Sequence, residues 1–129
     1  MSHHDQLLRF NFQHLDIRGE LVYLNSSWQQ MLARYDYPAN VRQQLGNAMA
    51  AVVLLSATIK FEGNMIMQVQ GNGPVRFAVI NGDHQQQLRG VARWEGELPS
   101  DGSLRSLVGD GQIVITITPD EGERYQGIV

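Results

Sequence analysis

The sequence contains no cysteine. Disulfides, thiolate nucleophiles and cysteine-ligated zinc sites are therefore excluded for these 129 residues. It also has no excess of basic residues: the net charge is −3, the pI is about 5.7, and no run of Lys or Arg forms a basic patch. Nucleic acid and membrane surfaces are thus not expected as partners. The polar start, from Met1 to Gln6, lacks the apolar segment of a signal peptide, so we expect a cytoplasmic protein.

Long apolar runs are also lacking, because the longest, residues 48–59, falls short of the roughly 20 residues that cross a membrane. Only Ser56 and Thr58 interrupt this run. A helix that is apolar all round must be covered all round, so the pattern predicts a central helix buried between two layers. On this prediction, Leu54→Ala and Leu55→Ala each cost about 2–5 kcal/mol of stability.

The predicted central helix occupies residues 40–60. Asn40 is its expected N-cap, with Gln43 at the capping-box position. Gly63 is expected to end it in the left-handed conformation. Gly46, inside the helix, predicts close approach of another backbone, since glycine in a helix costs about 1 kcal/mol relative to alanine.

Alternating apolar residues predict strands on both sides of this helix. Residues 7–12 and 17–24 are expected to form a hairpin or two neighbouring strands, with a bulge at Gly19. Asn81-Gly82 favours a hairpin turn among the later strands. Those later strands are residues 65–70, 75–80, 86–94, 112–118 and 124–129, with one helical turn at 103–108. The predicted fold class is α+β: β/α/β layers with a long buried central helix and a mostly antiparallel sheet.

A short helix is predicted between the first strands and the central helix. Ser26 is its expected N-cap, with Gln29 three residues later. Its apolar stripe consists of Trp28, Met31, Leu32 and Tyr35. Such a stripe could line a cofactor or partner groove, but core packing is its usual role.

Motifs for catalysis or ligand binding are missing. The glycine-rich segments 71–73 and 109–111 lack a nucleotide-binding frame and lead into strands, so hairpin turns with positive φ explain them better. No serine has a G-x-S-x-G setting. The histidines (His3, His4, His14 and His84) have no metal-ligand spacing, and the carboxylates of Asp120, Glu121 and Glu123 belong to a charged turn. We therefore assign no catalytic, cofactor-binding or metal-ligating residue and do not expect an enzyme.

Several longer runs are more specific than these motifs. They are residues 69–74, 78–82, 87–93 and 111–118, together with 4–7, 18–21 and 121–127. In this order they closely resemble the bacterial redox-regulated heat-shock chaperones, also called 33 kDa chaperonins. The resemblance covers nearly the whole chain.

The resemblance implies a cytoplasmic, ATP-independent holdase that binds unfolding client proteins during oxidative and heat stress and prevents their aggregation. Members of the family have an N-terminal α/β domain, a linker, and a C-terminal domain with four zinc-bound cysteines. Oxidation releases the zinc and exposes the client-binding surface, and active members are dimers. Unfolded clients and a second copy in a homodimer are thus the expected partners.

The absence of cysteine is a large departure from that pattern. We expect residues 1–129 to be a truncated N-terminal client-binding domain that lacks the zinc-binding switch and therefore any cofactor. The last β pattern starts at residue 124 and has no terminator, so we expect a fragment or a strand completed by another copy. The client-binding residues remain unknown from sequence. The alternatives are an enzymatic or small-ligand-binding α+β domain with a cleft beside the central helix, and a passive structural domain.

Overall fold

The structure is a computed structural model that describes residues 5–59 and 61–129. Its elements in chain order are β1 (Gln6–Asn11), β2 (Arg18–Tyr23), α1 (Ser26–Leu32), α2 (Ala39–Thr58), β3 (Gly63–Gly71), β4 (Val75–Asp83), β5 (Leu88–Trp94), α3 (Leu104–Val108), β6 (Gly111–Pro119) and β7 (Tyr125–Ile128).

The strands form two antiparallel sheets. β1 and β2 make a two-stranded sheet, and the other strands make a five-stranded sheet in the order β5-β4-β3-β6-β7. The central strand β3 pairs with β4 on one side and with β6 on the other. All pairings among the described strands are antiparallel, which confirms the predicted α+β class.

Helix α2 lies between the two sheets, as predicted. It contacts β3, β4 and β5 of the larger sheet and β2 of the smaller one. Buried residues recur along α2 at spacings of three and four, the period of one helix face. They are Val41, Leu45, Met49, Val52, Val53 and Ala57. Across from them, Met65, Met67 and Val69 project from β3 and complete the core.

The second half of α2 is not covered on all sides, and this part of the prediction is wrong. Leu54 and Leu55 are only half-buried, and Ile59, just after the helix, is 41% exposed. The reason is the width of the second layer, because two strands shield less of a helix than five. The cost of truncating Leu54 or Leu55 is therefore expected to fall below that of a fully buried leucine such as Leu45.

Both predicted ends of α2 are wrong. The N-cap is Pro38, one residue before the first helical residue, and no side chain caps this end. The Asn40 side chain instead donates a hydrogen bond to the carbonyl of Pro99, at 3.1 Å. At the other end, Ile59 takes an extended conformation, and Gly63 belongs to β3.

Two glycines, one inside α2 and one packed against it, have roles that differ from those predicted. A Cβ on Gly46 would lie 2.7 Å from Cζ3 of Trp28, so the neighbour is an indole ring and not another backbone. A Cβ on Gly82 would lie 2.9 Å from Cγ1 of Val52. Asn81 and Gly82 lie inside β4, which runs to Asp83, so the predicted turn at this pair is wrong.

The actual turn between β4 and β5 is built by a side chain. The Asp83 carboxylate accepts hydrogen bonds from the backbone N–H groups of Gln85 and Gln87, each at 2.9 Å. Gln86 takes a positive φ of 62°. An Asx-type turn of this kind replaces the Asn-Gly turn expected from sequence.

Helix α1 starts one residue after its N-cap, Asn25, so Ser26 is its first residue and not its cap. The stripe prediction is confirmed in part: Met31 is buried, while Trp28 and Leu32 pack against the core and remain half-buried. Tyr35 lies beyond the end of α1 and is 44% exposed.

A carboxylate from the chain start satisfies the first turn of α1. Asp5 is only 6% exposed and accepts hydrogen bonds from the N–H of Asn25 at 2.7 Å and of Ser27 at 3.2 Å. The Ser27 hydroxyl also donates to it. Burial by itself raises the pKa of Asp5, but these hydrogen bonds outweigh it, so the pKa lies below its ordinary value.

The structure tests two predictions about the first and last strands, namely the β1–β2 hairpin with its bulge and the partner of the last strand. β1 and β2 form the expected hairpin, but without a bulge, since Gly19 pairs directly with Phe10. β7 pairs with β6 of the same chain, from Tyr125 opposite Ile117 to Ile128 opposite Val114. The last strand therefore needs no second copy to find a partner.

Candidate functional site

The hairpin formed by β1 and β2 carries a group of exposed large apolar side chains, which we call the hairpin patch. Its members are Leu8, Phe10, Phe12, Leu15, Ile17, Leu21 and Tyr23. Their exposure ranges from 47% for Phe10 to 61% for Tyr23. Apolar residues so exposed and so close together in sequence are unusual on a protein that remains alone in solution.

Strand pairing explains why these side chains lie together. Leu8 is directly opposite Leu21, and paired residues of an antiparallel ladder point to the same face. The alternate pair, Leu7 and Val22, points to the other face and is half-buried. Val22 on that face lines a small cavity together with Gly46 of α2. The hairpin thus covers α2 with one side and presents the patch on the other.

A polar contact joins the hairpin to α2. The Thr58 hydroxyl shares its proton between the Leu54 carbonyl at 2.8 Å and the Glu20 carboxylate at 3.0 Å. Glu20 also forms an ion pair with Arg9 inside the hairpin, at 3.5 Å. Within the patch, the Phe10 ring lies across Gly19, where a Cβ would come within 2.4 Å of it. The Phe10 and Phe12 rings meet edge to face with centroids 6.0 Å apart.

The chemistry of this surface suits extended apolar polypeptide. Burial of its side chains is favourable at about 25 cal/mol per Å² and does not require a fixed orientation of the partner. Among the described strands, β1 and β2 pair only with each other, so each keeps one backbone edge available. Such edges bind another strand through backbone hydrogen bonds that do not depend on its sequence.

A second candidate is an apolar cavity of about 240 Å³ beside α2. Its walls include Leu45 and Ala48 of α2, Val69 of β3, Leu107 of α3 and Ile113 of β6. Gln44 and Asn47 are the polar side chains that line it. No acid, base or hydroxyl nucleophile is among the lining residues, so this cleft holds no group that could carry out a reaction.

The two glycine-rich segments lie side by side and use their polar groups on each other. Asp110 N–H donates to the Asn72 side chain at 2.9 Å, and Gly73 N–H donates to the carbonyl of Val108 at 2.7 Å. Gly109 has the expected positive φ, at 73°. Gly73 does not, and glycine is required there because a Cβ would lie 2.6 Å from the Leu107 carbonyl oxygen.

The remaining polar candidates are dispersed. Within residues 5–59 and 61–129, no three His, Asp or Glu side chains come together as a metal site. His84 accepts a hydrogen bond from Gly63 N–H at 3.0 Å, and His14 lies in the β1–β2 turn. His3 and His4 fall outside the described residues. The carboxylates of Asp120, Glu121 and Glu123 are partly or fully exposed.

One serine cluster has a structural explanation. Ser103 caps α3 by accepting a hydrogen bond from Ser106 N–H at 3.2 Å, and both hydroxyls donate to Asp101. The Ser106 hydroxyl, followed by the backbone and side chain of Ser103, lowers the pKa of Asp101.

No described helix is both long and apolar enough to cross a membrane.

Comparison with known proteins identifies the family. The Hsp33 protein family model matches residues 5–129. The chain belongs to the Hsp33 family. It is 57% identical over 129 residues to the 33 kDa chaperonin of Aeromonas salmonicida and 59% identical over 125 residues to that of Shewanella denitrificans. These alignments cover 100% and 97% of this chain but only 44% and 43% of the relatives, so it spans less than half their length.

A solved structure shows the same fold. The 33 kDa chaperonin of Thermotoga maritima matches with a TM-score of 0.84 at 17% sequence identity. The match covers 98% of this chain and 46% of that one. The arrangement of two sheets around a long helix is therefore the Hsp33 fold.

The sequence pattern does not predict the hairpin patch of this Hsp33 chain. The alternation predicted correctly that Leu8, Phe10 and Phe12 share a side of their strand, but such a pattern is also that of a strand whose apolar side is buried. The excess of apolar residues on both hairpin strands and in the turn was the available signal. Relatives named chaperonins, together with the cleft without reactive groups, give the enzymatic alternative no support.

Proposed function

We propose that this Hsp33-family chain is an ATP-independent holdase that binds unfolding proteins through the hairpin patch. The observation that carries the proposal is the row of exposed apolar side chains on β1 and β2, held on α2 by Glu20. An unfolded protein offers the matching chemistry, namely apolar side chains and backbone groups without partners. The names of the relatives support the proposal, because each is a chaperonin.

The proposal assigns residues 1–129 the role of the client-binding part of a longer Hsp33-type protein. The zinc of the family does not fit the residues of this chain, because it has no cysteine and its described residues contain no three clustered ligands. The proposal places the activity in the cytoplasm, as the resemblance implies, with the active form a homodimer.

A matched pair of substitutions tests the patch. Phe10→Ser removes an aromatic ring from it, and Phe77→Ser removes a partly exposed ring from β4 on the larger sheet. Light scattering of a heat-unfolding client enzyme should show suppression by the unmodified chain. We expect Phe10→Ser to weaken this suppression strongly and Phe77→Ser to leave most of it.

Leu21→Ser provides a second variant, since Leu21 is 59% exposed and its loss leaves little of the core changed. Thermal unfolding followed by circular dichroism verifies that each variant folds. If folded Phe10→Ser and Leu21→Ser chains suppress aggregation as well as the unmodified chain, clients do not bind at the hairpin patch.

A further inference from the structure

An open cavity of about 350 Å³ lies at the β5 edge of the larger sheet, apart from the hairpin patch. Arg89 and Arg93 line it from the outward face of β5, and Arg34 lines it from the segment after α1. Asn81 and Gln30 add amide groups to its wall. Its lining contains no Asp or Glu, although the chain as a whole is acidic.

The three arginines have no carboxylate partner among the described residues. The ion pairs found there join Arg9 to Glu20 and Arg76 to Glu95. Three arginines that line one cavity without an acid leave a concentrated positive charge there.

Tyr35 holds one of these arginines in place. The Arg93 guanidinium donates a hydrogen bond to the Tyr35 hydroxyl at 3.2 Å and lies 4.7 Å from the centre of its ring. The hydrogen bond and the positive charge of Arg93 lower the pKa of the Tyr35 phenol, and the charge of Arg34 adds a smaller effect. The guanidinium is thus oriented before any ligand arrives.

We propose that this arginine cavity binds the phosphate groups of a multivalent phosphate, such as an inorganic oligophosphate chain. A guanidinium offers its N–H groups in a planar fork that matches phosphate oxygens. Arg89 and Arg93 are four residues apart on one strand, or about 13 Å along the backbone. A single phosphate contacts one of them well, whereas a chain of several phosphates reaches both.

Isothermal titration calorimetry of sodium triphosphate into the full chain tests the proposal. We expect saturable binding, weakened as the salt concentration rises, and much weaker binding of monophosphate. Arg93→Gln and Arg34→Gln should each reduce the affinity about ten-fold or more, as for loss of a charge-assisted hydrogen bond. Tyr35→Phe keeps the ring but not the hydroxyl, so its loss should be smaller.

Arg105→Gln is the matched control, because it removes the same charge from an exposed position on α3. It should leave triphosphate affinity nearly unchanged. An equal loss in this variant would mean general attraction and would overturn the site, as would the absence of saturable heat with the unmodified chain. All these arginines are exposed, and thermal melts verify folding.

Two further ligands decide the chemical class. If ATP binds as triphosphate does, the phosphate chain is the recognised part and the proposal stands. If only ATP binds, the base is required and the oligophosphate assignment is wrong. A hexaglutamate peptide that binds more tightly than triphosphate and is lost in Arg93→Gln would also overturn it, in favour of an acidic polypeptide.

Discussion

At the residue scale, Asp5 joins the start of β1 to the first turn of α1. Asp5→Asn keeps the shape but replaces one acceptor oxygen by a donor that faces the N–H and hydroxyl of Ser27. We expect this change to cost roughly 1–3 kcal/mol of unfolding free energy. Asp16→Asn, in the exposed turn of the same hairpin, is the control and should cost little. Urea titrations measure both.

The same carboxylate predicts a pH dependence. The folded pKa of Asp5 lies below its ordinary value of 3.8, so its contribution to stability is fully present above pH 3.8. That contribution is lost as the pH falls through the lower, folded pKa. The unfolding free energy of Asp5→Asn should therefore fall less steeply below about pH 4 than that of the unmodified chain. Parallel slopes for the two chains would contradict this assignment.

Asp5 also shows why the caps of the helices could not be predicted. Local spacing favours Asn40 and Ser26 as N-caps, because capping residues usually lie next to the helix they cap. The actual partner of the first turn of α1 lies twenty residues before Asn25. Local spacing contains no information about a contact of that range. The cap of α3 by Ser103 is local and was compatible with the predicted turn at 103–108.

At the element scale, Gly46 tests the packing of α1 on α2. Alanine has the higher helix propensity, by about 1 kcal/mol, but its Cβ would lie 2.7 Å from the Trp28 ring. Because overpacking typically costs about 1–3 kcal/mol, we expect Gly46→Ala to be destabilising or at best neutral. Asn47→Ala, at the next and exposed position, gains propensity without the contact and should stabilise. Thermal melts compare them; clear stabilisation by Gly46→Ala would mean that the ring moves aside.

The existence of most elements was predictable, whereas turns inside the larger sheet were not. Alternating apolar residues identified most of the strands. The turn predicted at Asn81-Gly82 is wrong, although this pair is favoured in two-residue turns because both residues adopt positive φ readily. Here Gly82 is required by the approach of Val52, a tertiary contact with α2. A glycine in a sequence can mean that a neighbouring atom leaves no room for a Cβ or that the backbone needs a positive φ, and the sequence does not distinguish the two.

At the scale of the whole molecule, the second layer decides where apolar residues remain exposed. The sequence predicted a buried helix between layers, and the layers are there. It did not reveal that the second layer is a two-stranded hairpin whose outer face is also apolar. Which apolar residues stay exposed therefore depends on what covers each face, and periodicity does not contain that information.

Strand β7 leads us to expect self-association. Among the described strands it lies at the edge of the larger sheet, and Tyr125 and Ile128 on it are each 63% exposed. Ile113 and Val129 exchange both backbone hydrogen bonds, so the alternate N–H groups, including that of Ile128, point away from β6. Such an edge recruits further strands. Sedimentation velocity at increasing concentration should show a growing dimer.

Proline at two adjacent positions separates this edge from the packing of β7 itself. Ile128→Pro removes an outward N–H, together with the isoleucine side chain, and keeps the N–H groups that face β6, so it should weaken self-association and leave the fold intact. Gly127→Pro removes an N–H that faces β6 and should destabilise the strand. A chain that remains a monomer at high concentration, or an Ile128→Pro variant that associates equally well, would show that this edge is not the contact.

The last prediction concerns regulation of the proposed holdase activity. Without cysteine, peroxide has no thiolate to oxidise and a chelator has no cysteine-bound zinc to remove. The core methionines Met31, Met49, Met65 and Met67 are buried, so brief peroxide treatment reaches them slowly. The hairpin patch is exposed as the chain stands. We therefore expect weak but constitutive suppression of client aggregation, equal before and after brief peroxide or chelator treatment.

Light scattering of a heat-unfolding client, with a molar excess of the chain, measures this directly. The Phe10→Ser chain, treated in the same ways, shows how much of the signal depends on the patch. Suppression that appeared only after oxidation would contradict the argument, because nothing in this sequence could act as the switch. If the chain suppresses aggregation under no condition, the hairpin patch does not bind unfolding clients, and the result favours a passive domain.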